Sequence, residues 1–282
     1  MRLVTFKEEN EAPQIGVLVN DEVIALDSVK YPDMKAFLAA GPQALAEAEK
    51  ISRNAGSRNK YGLKDVTLLA PVPTPGKIIA VGLNYMDHAI ETKMEIPKTP
   101  VIFAKFTSSI NGPDAPVVLP KDDPQGDYEA ELAVVIGRTA KAVSETSAMD
   151  YVAGYMPLND VSARRWQFAD KQWVRGKSCD TFCPTGPWLT SRDSVPDPHA
   201  LYIRMRVNDE TVQNSNTSNL IFRIPKLIEF ISEAITLEPG DIIATGTPDG
   251  VGVFRKPPVF LKPGDAMEVE IEGLGVLRNQ VV

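Results

Sequence analysis

The chain is poor in the residues that most often announce chemistry. Its 282 residues include two histidines and two cysteines. The cysteines, Cys179 and Cys183, lie in Cys-Asp-Thr-Phe-Cys. That gap is not zinc-knuckle spacing, and no second pair or nearby histidine completes a site, so buried reduced thiols are expected. No apolar run is long enough to span a bilayer. No dense Lys/Arg stripe occurs, and 37 acids against 30 bases give a net charge of −7, which argues against a nucleic-acid groove. A phosphate loop, a G-x-G-x-x-G dinucleotide fingerprint and a fixed-period repeat are all missing. The segment Met1–Glu9 turns acidic early and lacks a signal-peptide core, so the expected compartment is the cytosol. Hydrophobic content of 43% and charged content of 24% suit one sizeable core and a small extra domain.

What is present centres on two glutamates one residue apart. Glu129 and Glu131 sit in a stretch from Tyr128 to Ile136 that is rich in β-branched and apolar residues and ends at Gly137. It reads as a strand, in which residues i and i+2 face the same way. Two adjacent buried carboxylates repel each other and lose hydration, so they need a counter-charge or a proton. A hard divalent cation such as Mg²⁺ meets both needs. The competing reading is a solvated strand face with Lys or Arg partners. Asp160 ends a second apolar stretch, Val152–Leu158, and supplies a third acid for a metal; alternatively it caps the short helix that follows.

Residues 2–6, 14–20 and 22–27 read as short strands, and 42–53 as a polar helix. The proline-rich stretch Ala70–Gly76 marks a boundary, dividing a small α+β domain, 1–70, from a catalytic domain, 71–282. Beyond it, strands are expected at 77–82, 101–105, 128–137, 152–159, 201–207, 241–245 and 267–271. Helices are expected at 84–92, 144–150, 161–170 and 225–235. Strand and helix do not alternate, which makes a doubly wound sheet a poor fit and an α+β, β-rich fold the better one.

Three further groups stand out. His88 and Glu91 are i and i+3 on the expected 84–92 helix, where a carboxylate can orient an imidazole as a base. Taken alone, a surface pair on a short helix is the simpler reading, but the other histidine, His199, falls in a loop. Arg164, Gln167 and Lys177 would suit an acidic, oxygen-rich ligand beside a metal, though each taken singly reads as a solvated side chain. Thr245-Gly246-Thr247-Pro248-Asp249-Gly250 is either a tight structural turn or a source of backbone and Thr247 hydroxyl donors.

The ordered set resembles the fumarylacetoacetate hydrolase family. The residues that carry it are Asn84-Tyr85-x-x-His88-x-x-Glu91, Tyr128-Glu129-x-Glu131-Leu132, Asn159-Asp160-Val161-Ser162-Ala163-Arg164, and Arg175-Gly176-Lys177-Ser178 with Gly186-Pro187. Asn216-Thr217-Ser218 and Thr245-Gly246-Thr247-Pro248-x-Gly250 complete it, over residues 77–272. The resemblance implies a mixed β-sandwich roll with a small N-terminal domain, a homodimer, and a Mg²⁺ or Mn²⁺ site that Ca²⁺ can fill in a crystal. It implies Glu129, Glu131 and Asp160 as metal ligands and His88, Glu91 and Lys177 as catalytic residues. It implies Arg164, Gln167 and Thr247 as substrate contacts. Arg165 departs from the pattern, where an acid commonly follows, and so does Lys105-Phe106, where Lys-Pro is usual; Lys105 is assigned no role.

The activity implied is hydrolysis of a carbon–carbon bond in a 2,4-dioxo acid of the acylpyruvate, fumarylpyruvate or diketo-deoxy sugar acid class. The same enolate chemistry serves decarboxylation of a β-keto acid such as oxaloacetate, and ureidoglycolate lyase-like activity is a further alternative. A non-enzymatic alternative is a metal-dependent binder of small oxo acids, which would need no base.

Overall fold

In a computed structural model, which describes residues 1–53 and 59–282, two antiparallel-dominated sheets face each other. The larger sheet has eleven strands. Its order runs Lys60–Gly62, Glu22–Ala25, Gln14–Val19, Arg2–Lys7, Leu189–Ser191, Val152–Asn159, Ala130–Ile136, Ile242–Ala244, Ile78–Gly82, Val101–Lys105, with Thr67–Leu69 paired beside Arg2–Lys7. Every pairing in it is antiparallel except one: Ile242–Ala244 runs parallel to Ile78–Gly82. The smaller sheet is antiparallel, two hairpins joined through their first strands in the order Glu210–Asn216, Tyr202–Val207, Ala266–Ile271, Gly275–Gln280.

The main core fills the space between the sheets. Leu132, Val134 and Ile136 meet Ile203, Met205, Met267, Val269 and Ile271 there. The alternate residues Ala133 and Val135 enter a second core with Ile78, Ala80, Ile242 and Ala244. The 130–136 strand is therefore buried on both faces, which is why its sequence is almost continuously apolar. The outer sheet shows the other pattern: Ile203 and Met205 point in, while Arg206 pairs outside with Glu268 at 2.8 Å.

Among the described residues, six α-helices dress this frame: α1 (Met34–Ala39), α2 (Pro42–Arg53), α3 (Met86–Thr92), α4 (Arg164–Asp170), α5 (Val174–Lys177) and α6 (Ile224–Ala234). Asp33 caps α1 through a 2.7 Å bond from Ala36 N. Phe37 and Leu38 of α1 and Ala44 and Ala48 of α2 seal the second core. Pro225 opens the first turn of α6, and Leu227, Ile228 and Ile231 seat it on the main core.

All seven strands expected beyond the proline cluster are present. The acid-bearing strand starts at Ala130 rather than Tyr128, because Glu129 N bonds the Asn159 side chain instead of a ladder partner. The helix after Asp160 starts at Arg164, since Ser162–Ala163 first pairs with Gly126–Asp127. Residues 145–151 form a 3₁₀ rather than an α-helix.

Candidate functional site

The site is built where two strands end together. Ala130 pairs with Asn159 in the ladder, so Glu129, Glu131 and Asp160 are neighbours. Asp160 N donates to Glu129 O at 2.9 Å, and Asn159 Oδ1 accepts from Glu129 N at 3.0 Å, stitching the acid-bearing segments together. The three carboxylates each present an oxygen within 4.8 Å of the others, and all three residues are buried. The solvated-face reading is excluded. Asp160 caps no helix; its carboxylate turns into the cluster.

Three cations answer these acids. Lys177 Nζ bridges Glu129 Oε2 at 2.6 Å and Asp160 Oδ2 at 2.8 Å. Arg164 spans Asp127 Oδ2 at 2.8 Å through Nε and Glu129 Oε1 at 2.7 Å through Nη1, which also donates to Gln167 Oε1 at 2.9 Å. Lys105 Nζ lies 2.6 Å from Asp160 Oδ1 and also donates to the Lys177 carbonyl. Lys177 can reach the cluster because α5 packs hard on α4: a Cβ at Gly176 would stand 2.7 Å from Gln167 N and 2.8 Å from Ala163 O.

Asp127, Glu129, Glu131 and Asp160 thus face Lys105, Arg164 and Lys177, four buried acids against three buried cations. The surplus falls on Glu131. Burial pushes its carboxyl well above the usual range, and the charges of Asp160 and Glu129 push the same way. Burial would raise Glu129 too, but Lys177 and Arg164 outweigh it and bring it down to about 2. Burial opposes the Lys177 ammonium, and Asp160 and Glu129 overcome that opposition. Glu131 must therefore hold a proton or share a cation.

The donor set fits a hard divalent ion. It is all oxygen, it is prearranged, and carboxylate oxygens already taken by one donor retain lone pairs for a metal. Arg164 Nη2 is buried and has no partner among the described residues, which leaves a cationic donor uncommitted beside the acids.

α3 brings the base. His88 Nδ1 lies 2.9 Å from Glu91 Oε2, and Glu91 Oε1 accepts from Gly250 N at 3.0 Å. The side chains are only 12% and 21% exposed, so this is not a surface pair. With Nδ1–H given to Glu91, Nε2 carries the lone pair. Glu91 ties the pair to the turn at Gly250, and the same turn reaches the carboxylate cluster where Gly246 N donates to Glu131 Oε2. Asn84 fixes the entry to α3: Nδ2 donates to Thr245 O at 2.8 Å and Oδ1 accepts from Phe222 N at 2.8 Å.

The 245–250 loop closes the other side. Gly246 N donates to Glu131 Oε2 at 2.7 Å. Thr247 is buried, and Gln213 Nε2 donates to its hydroxyl at 2.9 Å. Gly250 has φ +94°, and a Cβ there would come within 2.1 Å of Val212 O, so the turn requires glycine.

Every residue singled out from the motifs lies in or against this one cluster: Glu129, Glu131 and Asp160; Arg164, Gln167 and Lys177; His88 and Glu91; Thr247. Two members were missed. Lys105, given no role, is fully buried against Asp160. A lysine ending the apolar strand Val101–Lys105 needs an acid partner, which is the signal that could have found it. Asp127 holds Arg164 and accepts from Gly252 N at 2.8 Å, but one Asp beside a turn carries no such signal. Arg165 turns away, donating to Asp122 O at 2.6 Å, so the departure there leaves Arg164 unaffected. Cys183 is buried and Cys179 half-buried, both as free thiols.

The profile of the fumarylacetoacetate (FAA) hydrolase C-terminal family matches residues 77–282. A mitochondrial oxaloacetate tautomerase of Bos taurus is 54% identical over 290 residues, covering 100% of this chain and 92% of that protein. A mitochondrial oxaloacetate tautomerase of Xenopus laevis is 47% identical over 292 residues, covering 100% of this chain and 90% of that protein. The crystal structure of maleylpyruvate hydrolase from Sphingobium sp. SYK-6, in complex with manganese(II) and pyruvate, superposes with a TM-score of 0.83 at 35% identity, covering 100% of this chain and 99% of that one. The expectation of a cytosolic protein is corrected here, because both of these relatives are mitochondrial. Early acidic residues were a poor guide to compartment.

Proposed function

The chain belongs to the fumarylacetoacetate hydrolase family, and we propose that it is a divalent-metal-dependent enzyme that interconverts the enol and keto forms of oxaloacetate. The observation that carries this reading is the His88–Glu91 pair, with Nε2 free, beside the buried acid cluster. Oxaloacetate tautomerases at 47–54% identity over the whole chain support oxaloacetate over the 2,4-dioxo acids first expected.

Glu129, Glu131 and Asp160 would hold Mg²⁺ or Mn²⁺. When bound, such an ion withdraws charge from an enolate oxygen. Ketonisation moves one proton, from the C2 hydroxyl to C3, with no net gain or loss. His88 Nε2 exchanges that proton at C3, and Glu91 holds the ring through Nδ1–H. Lys177 keeps positive charge next to the oxygens that become negative. Arg164, steadied by Asp127 and Gln167, faces the anionic substrate.

The test is the decay of enol oxaloacetate ultraviolet absorbance with Mg²⁺, with Mn²⁺ and with excess chelator. Metal-dependent acceleration is expected. Cleavage of maleylpyruvate without any acceleration of tautomerisation would favour the hydrolytic reading, which the likeness to the Sphingobium enzyme supports. Loss of carbon dioxide from oxaloacetate, measured in the same cuvette, separates decarboxylation. A homodimer is also proposed. Exposed Phe106, Val118 and Phe168 suit a covered face, and mass in solution tests it.

A further inference from the structure

Gln213 lies outside every motif described above. It sits in the outer strand Glu210–Asn216, whose other side chains are partly or fully exposed, yet it is itself only 2% exposed. Both of its amide N–H donors and one lone pair of its oxygen are used inward. Oε1 accepts from Ala130 N at 2.9 Å, and Nε2 donates to Thr247 Oγ1 and to Pro248 O, both at 2.9 Å. The orientation of this amide is dictated by its neighbours. Ala130 N can only donate and Pro248 O can only accept, so Oε1 must face the first and Nε2 the second.

That has a consequence for Thr247. A hydroxyl that receives an N–H must send its own proton elsewhere. Among the described residues, Thr247 Oγ1 donates to no protein acceptor. Gly246 N, the other donor of this turn near the acids, is already committed to Glu131. The same Gln213 amide pins Ala130, the residue between the two glutamates.

We propose that Gln213 is a positioning residue that fixes Thr247 as a hydrogen-bond donor, aimed at a carboxylate or enolate oxygen of the substrate. The proposal rests on the reading of Thr247 as a substrate contact. It adds that the sense of the contact is set from the outer sheet. An anionic oxygen is the ligand atom that gains most from such a donor.

The test is a double-variant cycle of Gln213→Met and Thr247→Val, both uncharged, so that no new charge acts on an anionic ligand. Two readouts are taken: KM and kcat for oxaloacetate, and the dissociation constant of pyruvate in the presence of Mn²⁺. Thr247→Val should weaken pyruvate about tenfold, the value of one hydrogen bond to a charged group. Thr247→Ser, which keeps the hydroxyl, should bind as the unaltered protein does. Gln213→Met releases the hydroxyl among its staggered positions and should weaken pyruvate roughly threefold or more. In the Thr247→Val background it should weaken pyruvate no further, while Mn²⁺ affinity stays within about twofold. Losses that multiply instead, or a matching fall in Mn²⁺ affinity from the displaced Ala130, would show a merely structural tie and overturn the proposal. Should Gln213→Met not fold, Gln213→Leu enters the same cycle under the same criterion. If the protein binds pyruvate but does not turn over oxaloacetate, the function proposed above fails and the binding cycle alone judges Gln213.

Discussion

Lys105 and Lys177 are locked together: the Lys105 ammonium donates to the Lys177 carbonyl oxygen, while each lysine takes a different oxygen of Asp160. Lys105 therefore holds both an acid of the cluster and the backbone that carries the cluster's central cation. Removing one partner of a buried, hydrogen-bonded pair costs about 3–5 kcal/mol. Lys105→Met should lower metal-free stability by about that amount in a urea melt, with part of it restored by saturating Mn²⁺. A change below about 1 kcal/mol would mean that Lys105 is dispensable.

Glu131 and Glu129 should respond in opposite ways to loss of charge. Glu131→Gln removes the acid that burial and its neighbours already disfavour as an anion, so metal-free stability should hold or rise. Glu129→Gln breaks the pairings with Lys177 and Arg164 and should destabilise by about 3 kcal/mol. Both should weaken Mn²⁺ by about 10²-fold or more, given that each substitution removes a buried carboxylate that would bind the ion as an anion. Thermal melts with and without Mn²⁺ read both effects at once.

Chelation should abolish turnover, and His88→Ala or Glu91→Ala should lower it by about 10²-fold or more through loss of acid–base catalysis. Mn²⁺ binding should persist in both, because neither residue belongs to the carboxylate cluster. Unchanged rates in both variants would move the base elsewhere.

Stability should fall in mild acid through His199, the histidine outside the site. Its Nε2 accepts from Ile224 N, at the start of α6, at 3.2 Å, which only the neutral ring can do. Burial lowers its pKa below the ordinary 6.5 of a histidine; Asp197 pulls it up and Arg223 pulls it down. A depressed folded pKa means that the contribution is complete above the unfolded value and is lost as pH falls through the folded one. A protonated ring would also put positive charge at a helix N-terminus. The midpoint of thermal unfolding should drop below pH 6.5 and drop less in His199→Asn. Equal slopes would assign the loss to other groups.

The site was legible in the sequence because its residues are close in number to turns and strand ends. Glu129 and Glu131 follow from a two-residue period, and His88 and Glu91 from a helical one. Contacts across the fold were not legible. Lys105, Asp127 and Gln213 lie 55, 37 and 34 positions from the partners that define them, and no local period records such pairings. The strands Leu189–Ser191, Glu210–Asn216 and Gly275–Gln280 were missed for a related reason. Each is short, polar or interrupted, and is held by neighbours that the sequence does not name. The division near residue 70 stays a proposal. The first strand, Arg2–Lys7, pairs with Leu189–Ser191 and so continues the larger sheet, and limited proteolysis would tell whether 1–70 separates as a unit.

The lone parallel pairing in the larger sheet separates two duties. Ile78–Gly82 and Ile242–Ala244 run the same way, so the chain leaves both at the same edge, one into α3 and the other into the 245–250 turn. The acids come instead from the antiparallel strands next door. The His88–Glu91 pair and the carboxylates thus come from different pairs of strands, joined where Ile242–Ala244 pairs with Ala133–Val135. On the proposed function, the choice among reactions of an enolate would rest on a helix of only seven residues, Met86–Thr92.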